Sequence, residues 1–223
     1  MNNLSVCYLF GAGDYFIDSV TPKSTDFIIA VDGGYLWLKE HDIVPDLIVG
    51  DFDSMSDDIS SQISQSNAGI ITLPPEKDDT DMSAALNEGW KRGYRIFHIF
   101  GGTGSRLDHT VANIQLLADI AVRGGRCFLF DKDTVITAIH NTCIEFPAIS
   151  SGIVSVFSHS DISSGVYEKG LMYPLTDATL RNTYPIGVSN EFVGAQSSIS
   201  VRSGTLIVIL PKEVGLSESM VTK

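Results

Sequence analysis

Two acidic clusters and a set of glycine-rich turns hold the residues of this chain best suited to chemistry. Asp51 and Asp53 stand two apart in Gly50-Asp51-Phe52-Asp53-Ser54, and Asp78, Asp79 and Asp81 crowd into Lys77-Asp78-Asp79-Thr80-Asp81. Carboxylates two apart in an extended turn cannot both enter a core, and like charges held close need a cation or a shared proton. Oxygen donors of this kind suit Mg²⁺, which keeps several waters and completes its shell with substrate phosphates. A solvated turn that caps the next helix accounts for the first pair about as well. The dipole of a helix N-terminus accounts for Asp79. Neither explains why two acidic clusters follow neighbouring strand patterns.

The third candidate is Gly101-Gly102-Thr103-Gly104-Ser105-Arg106-Leu107-Asp108-His109. A glycine-rich turn lets backbone N–H groups approach a phosphate, and the N-terminus of a following helix favours anions. Arg106 adds a planar fork of donors matched to phosphate oxygens. The Gly-Lys-Ser/Thr of a Walker loop is missing, and Gly11-Ala12-Gly13 lacks the third glycine of the dinucleotide fingerprint. His109 and Asn113 stand at i and i+4, off the apolar stripe, so they face ligand or solvent. A single histidine in that setting is more often a structural hydrogen-bonder than a catalyst. His41, His98, His140 and His159 show no ligand spacing, which argues against zinc. There is no Gly-x-Ser-x-Gly elbow, and Cys7, Cys127 and Cys143 fall in or near strand patterns, so nucleophilic catalysis has no support.

These residues must be positioned by the elements between them. Short β-branched and aromatic runs at Val6 to Phe10, Phe27 to Val31, Leu47 to Val49, Ile70 to Leu73, Arg95 to Phe100 and Arg126 to Phe130 read as buried strands. Helical patterns lie between them. One starts at Thr80 as N-cap and runs through Met82, Ala85, Leu86 and Trp90 to a stop at Gly93, with Trp37 and Trp90 read as core. Another runs from Leu107 to about Arg123 with Leu107, Val111, Ile114, Ala118 and Ala121 as its apolar stripe. Alternating strands and helices imply a parallel sheet, whose post-strand loops share one edge where ligands bind. After Phe130 the pattern changes to short segments separated by Gly, Ser, Asn and Pro, the signature of antiparallel β structure. The expected fold is α/β: a parallel-sheet, three-layer α/β domain over residues 1–140, then a smaller antiparallel β-sandwich domain over 141–223.

Composition narrows the function classes. The 223 residues are 43% hydrophobic and 19% charged, a globular mix. The formal charge of −12 argues against binding to a nucleic-acid backbone. Three cysteines without a C-x-x-C pair fit a reducing compartment. The N-terminal apolar run lacks a basic flank and ends in glycine, so it reads as a strand rather than a signal peptide, and no apolar run reaches membrane-spanning length. The expectation is a cytoplasmic enzyme with no membrane partner.

Taken in order, Val31-Asp32-Gly33-Gly34, Pro45-Asp46 through Gly50-Asp51-Phe52-Asp53-Ser54, the KDDTD cluster, the GGTGSRLDH loop with Asn113, KGLMYPL at 169–175, VSNEF at 188–192 and SGTLIVIL at 203–210 resemble the thiamine pyrophosphokinases over nearly the whole chain. The resemblance implies transfer of the β,γ-pyrophosphoryl group of ATP to the thiamine hydroxyl, giving thiamine pyrophosphate and AMP. It implies a homodimer with active sites at the subunit interface. It also implies that residues 1–140 bind ATP and Mg²⁺ and that 141–223 bind thiamine and dimerise. By the same resemblance Asp51, Asp53 and Asp81 are the Mg²⁺ carboxylates, with Asp32, Asp46 and Asp78 as supporting acids in the cleft. Gly101, Gly102 and Arg106 face the phosphates, beside His109 and Asn113. Asp108 orients or deprotonates the acceptor hydroxyl, and Ser189 and Asn190 contact thiamine. Two other readings share these residues: a pyrophosphokinase for another hydroxymethyl heterocycle such as a pterin, and a metal-dependent phosphohydrolase.

Overall fold

A computed structural model describes residues 5–51, 63, 67–74, 79–104, 106–214 and 221–222. Asp53, Asp78 and Ser105 lie outside the described residues. The chain forms two compact units, Met1–Asn113 and Ile114–Lys223.

The first unit is built on five parallel strands. They are β1 (Val6–Phe10), β2 (Phe27–Val31), β3 (Leu47–Gly50), β4 (Gly69–Thr72) and β5 (Ile96–Phe100), arranged β5-β1-β2-β3-β4. Every pairing among them is parallel, with Val6 opposite Ile96, Cys7 opposite Phe27, Ile29 opposite Leu47 and Leu47 opposite Gly69. Parallel strands covered on both faces need continuous apolar runs, and Leu9, Phe10, Ile29, Ile48, Phe97 and Ile99 are all fully buried. β4 departs from the expected burial. It lies at the sheet edge, with β3 as its strand neighbour among the described residues, and its residues are largely exposed.

Among the described residues, helices α1 (Gly34–Glu40), α2 (Asp81–Lys91) and α3 (Leu107–Val122) flank these strands or lead from them. α2 starts where Thr80 predicts it, with the Thr80 hydroxyl accepting from the Ser83 N–H at 3.1 Å. α3 has the expected length but a different inward face. Asn113, Leu117, Ala118, Ile120 and Ala121 are buried, whereas Leu107 and Val111 are 76% and 50% exposed. Apolar residues occur nearly all round this helix, so periodicity alone does not choose a face. The polar Asn113 does, by donating from Nδ2 to the Gly102 carbonyl at 2.7 Å. Trp37 and Trp90 are half-buried rather than core. Trp37 stacks on Phe10, Tyr15 and His41, and Trp90 lies under the Arg95 guanidinium at 3.9 Å.

The second unit is antiparallel apart from the end of α3. One set of strands runs in the order β12 (Asn190–Glu191), β9 (Ile153–Ser158), β14 (Thr205–Pro211), β7 (Thr134–His140) and β6 (Arg126–Phe130). The other runs β11 (Leu175–Arg181), β10 (Ile162–Lys169), β13 (Ser197–Ser203), β8 (Cys143–Phe146) and β15 (Val221–Thr222). Inward side chains from both, including Phe146, Val156, Val166, Val201, Leu206 and Val208, form one core. Arg126–Phe130 pairs antiparallel with β7, Phe128 opposite Thr137, which is why it groups with this unit. No helix among the described residues is long and apolar enough to cross a membrane.

Among the described glycines, an added side chain would clash most closely where α1 begins after β2. A Cβ on Gly34 would sit 1.8 Å from the Phe10 carbonyl oxygen, which no side-chain rotation relieves. Gly34→Ala is therefore expected to cost roughly 3 kcal/mol or more in urea unfolding. Gly124→Ala, at φ +84° with nothing within 4 Å, should cost only about 1 to 2 kcal/mol. A smaller loss at position 34 than at 124 would contradict this packing.

Candidate active site

Strands β1, β2, β3 and β5 all end on one edge of the parallel sheet, and the loops that follow them wall a cavity of about 500 Å³. Gly11, Ala12 and Gly13 come from the loop after β1, Asp32 and Gly33 from that after β2, and Asp51 from that after β3. Thr80 and Asp81 enter at the start of α2. Gly101, Gly102 and Thr103 follow β5, and Arg106, His109 and Asn113 come from the approach to α3 and its first turns.

Two of these loops are zipped together by backbone. The N–H of Gly11 donates to the Phe100 carbonyl at 2.8 Å, that of Gly13 to Gly101 at 2.8 Å, and that of Asp14 to Thr103 at 2.9 Å. The zipper requires glycine. A Cβ on Gly13 would lie 2.1 Å from the Thr103 oxygen, and Gly101 itself takes φ +61°. Tyr15 buttresses the pair: its hydroxyl donates to the Gly11 carbonyl at 2.5 Å, and its ring packs where a Cβ on Gly101 would stand. The sequence places the Gly11-Ala12-Gly13 turn and Thr103 on this rim without giving them a role, and it does not point to Tyr15. The turn after β1 was the visible signal for the glycines; Tyr15 had none.

Asp32 adopts φ +48°, a left-handed conformation in which aspartate is among the better-tolerated residues. Its N–H donates to the Val49 carbonyl at 2.9 Å, so the loop after β2 is tied to β3 itself. Asp32, Asp51 and Asp81 thus line one cavity, against the guanidinium of Arg106 among the described residues. Hard oxygen donors converging beside backbone amides fit a divalent cation that also carries phosphates. No cluster of three or more acidic, histidine or cysteine side chains close enough to hold a metal by themselves occurs among the described residues. Any ion here would draw further ligands from its substrate and from water, as Mg²⁺ commonly does.

Three expected site residues sit elsewhere or act differently. Asp46 lies at the amino end of β3, opposite the edge that bears the cavity, and accepts from the Ile28 N–H at 2.8 Å, so it ties strands rather than lining the cleft. Asp108 is not in the cavity wall. It grips Arg106 with both oxygens, at 2.6 Å from Nη2 and 3.2 Å from Nε, and also accepts from the His109 N–H at 3.0 Å. The Arg106 hydrogen bonds hold its carboxyl down at about 2, which makes it a poor proton acceptor. Asn190, in the second unit, is 4% exposed and its side chain is fully engaged. Oδ1 accepts from the N–H groups of Tyr173 and Glu191, and Nδ2 donates to Glu168 and to the Tyr173 carbonyl. An amide with two acceptor sites and two donors has no capacity left for a ligand. Ser189 beside it is exposed, at φ +59°, with its N–H on the Ser155 hydroxyl at 3.1 Å.

Comparison with known proteins bears on both units. The family described as "Thiamin pyrophosphokinase, catalytic domain" matches residues 20–129, and "Thiamin pyrophosphokinase, vitamin B1 binding domain" matches 142–206. The thiamine pyrophosphokinase of Bacillus subtilis is 29% identical over 184 residues, covering 81% of this chain and 85% of that one. The crystal structure of a Bacillus subtilis thiamine pyrophosphokinase superposes with a TM-score of 0.82 at 25% identity, covering 93% of this chain and 98% of that one. That from Geobacillus thermodenitrificans superposes with 0.80 at 25%, covering 96% and 99%. The Candida albicans enzyme, at 18% identity and a TM-score of 0.75 over 92% and 89%, shares the fold.

The Arg106–Asp108 pair yields a pH prediction. Because the folded pKa of Asp108 is depressed from the ordinary 3.8, whatever stability the pair contributes is present above that value and lost as pH falls toward about 2. Carboxyl NMR titration should find Asp108 still ionised near pH 3, and Arg106→Gln should return its midpoint toward 3.8.

Proposed function

The chain belongs to the thiamine pyrophosphokinase family and is an enzyme of that kind, and on that premise we propose that the cavity of the first unit takes ATP with Mg²⁺. The β,γ-pyrophosphoryl group then passes to the hydroxyl of thiamine, leaving AMP. The observation that carries this reading is the convergence of Asp32, Asp51 and Asp81 on the same cavity as the glycine zipper and Arg106.

Asp51 and Asp81 would hold Mg²⁺, with Asp53 as a third ligand from outside the described residues. When bound, the ion neutralises charge on the phosphate oxygens. The protein's own groups then orient the donor. The glycine loop after β5 lets its backbone approach the phosphates where no Cβ intervenes, the N–H groups of Gly11, Gly13 and Asp14 being taken up by the zipper, and Arg106 presents its fork to the group in transfer. Asp108 keeps that fork aimed. Phosphoryl transfer passes through a loose transition state that asks mainly for positioning and charge stabilisation, so a strong base on the acceptor hydroxyl is not required. In-line attack at the β-phosphorus forms the new P–O bond, breaks the bond to the α-phosphate oxygen and releases AMP, while the hydroxyl proton goes to solvent.

Residues 1–140 carry the donor chemistry in this reading and 141–223 the acceptor site, in line with the separate family matches. Ser189 is the acceptor-side contact, while Asn190 supports it from beneath. A second copy of the chain completes the active enzyme. Met172, Tyr173, Tyr184, Ile186 and Val188, large apolar side chains left at least 46% exposed in the second unit, are suited to an interface of that kind. ATP as donor fits work in the cytoplasm.

The test is product analysis. With ATP, Mg²⁺ and thiamine the enzyme should give AMP and thiamine pyrophosphate in equal amounts, and Asp51→Asn or Asp81→Asn should lower kcat about a hundredfold or more without unfolding the protein. Phosphate release independent of thiamine would favour the hydrolase instead. Ser189→Ala should raise the thiamine KM several-fold and leave the ATP KM unchanged.

A further inference from the structure

The second unit buries a carboxyl that the reaction described above does not use. Glu168, near the end of β10, is 1% exposed. Its neighbours across the sheet are Leu175 on β11 and Ile199 on β13, and Val166 precedes it on the same face, so its strand surroundings are apolar. One oxygen, Oε2, accepts from Asn190 Nδ2 at 2.6 Å, while Oε1 is buried with no hydrogen-bond partner among the described residues. Burial pushes this carboxyl above the ordinary glutamate range, against the opposing pull of the Asn190 amide. A half-satisfied buried carboxyl costs free energy that a leucine or methionine at the same place would not. Its retention calls for a reason.

The reason lies in what Asn190 holds. Its side chain takes both backbone groups of Tyr173 and the N–H of Glu191, at 2.8 to 2.9 Å. The Met172 N–H donates to the Glu191 carbonyl at 2.9 Å, and Leu171 bridges to Phe192. Asn190 thereby clamps the segment 171–173 against 190–192. Glu168 bonds the one side chain that makes the clamp. Gly170, at φ +70° and with only 2.1 Å between an added Cβ and the Gln196 carbonyl, fixes the turn that joins Glu168 to the clamped segment. Ser189 is the residue immediately before the clamp, in a left-handed conformation that free chain would rarely hold.

We propose that Glu168 is a positioning residue for the acceptor: through Asn190 it locks the clamp between 171–173 and 190–192 and so fixes Ser189 for thiamine, without touching the substrate. The assignment rests on the reading of Ser189 as the acceptor contact. It turns the expected Asn190 contact into a support and makes Glu168 a determinant of acceptor affinity rather than of donor chemistry.

The experiment compares Glu168→Met, which fills the space but accepts no hydrogen bond, with Glu168→Gln, whose amide oxygen can still accept from Asn190. Thiamine KM, ATP KM and kcat are measured for both on the full chain, alongside Ser189→Ala and Asn190→Ala. We expect Glu168→Met to raise the thiamine KM about tenfold with the ATP KM within about twofold, and Glu168→Gln to restore it to within about twofold of the parent. Asn190→Ala should match Glu168→Met, and the double variant should be no worse than either single one, since both break the same pin. If Glu168→Met does not fold, Asn190→Ala against Glu168→Gln carries the same comparison. A thiamine KM unchanged in Glu168→Met or in Asn190→Ala, with Ser189→Ala still raising it, overturns the positioning role and leaves the acceptor reading standing. An unchanged thiamine KM in Ser189→Ala overturns the acceptor reading and this proposal with it. Equal rises in both KM values, or no rescue by Glu168→Gln, also contradict it.

Discussion

Backbone pairing between β1 and β5 does not stop where the strands stop, and the cavity depends on that continuation. Three further N–H···O bonds carry the pairing from Gly11 to Asp14 alongside Phe100 to Thr103. Side chains at Gly13 or Gly101 would force the two loops apart. Bare backbone therefore walls the cavity, which is the surface a phosphate can approach most closely. Tyr15 fixes this wall from behind. It is held in turn by stacking on Trp37 at 4.7 Å, and Trp37 on Phe10 at 5.3 Å, so the loop position is anchored in the strand core.

Charge sets the second condition. A polyanionic donor would be repelled by Asp32, Asp51 and Asp81 unless a cation lay between them, and the chain as a whole carries −12. Among the described residues the guanidinium in the wall is that of Arg106, and its pairing with Asp108 fixes its position but spends part of its charge. In the proposed reaction a metal supplies that neutralisation, and backbone and Arg106 supply direction. In the second unit the logic is reversed. There, hydrogen bonds among Asn190, Glu168 and Tyr173, rather than paired charges, hold the segment that follows Ser189.

How much of this was legible beforehand follows the physics of each feature. The parallel sheet and the change to antiparallel structure after Phe130 were readable because strand-sized apolar runs and turn residues are local signals. The Thr80 cap was readable for the same reason. Asp51, Asp81 and the Gly101 loop were readable because acids and glycines directly after parallel strands must share an edge. The inward face of α3 was not. Its apolar residues surround the helix, and the choice was made by Asn113 reaching a loop carbonyl eleven residues away. Asp46, Asp108 and Asn190 have the residue types of a site, yet each is taken up by a structural partner that spacing does not reveal. Tyr15 and Glu168 carry no motif and matter only through tertiary contacts.

The most direct test of the account is calorimetric titration of the enzyme with α,β-methylene ATP, with and without Mg²⁺, set beside the Asp51→Asn/Asp81→Asn double variant. The account predicts tight binding to the parent only when Mg²⁺ is present, and loss of most of that metal-dependent affinity in the variant. Equal affinity with and without Mg²⁺, or an undiminished metal effect in the variant, would contradict the placement of the donor in this cavity.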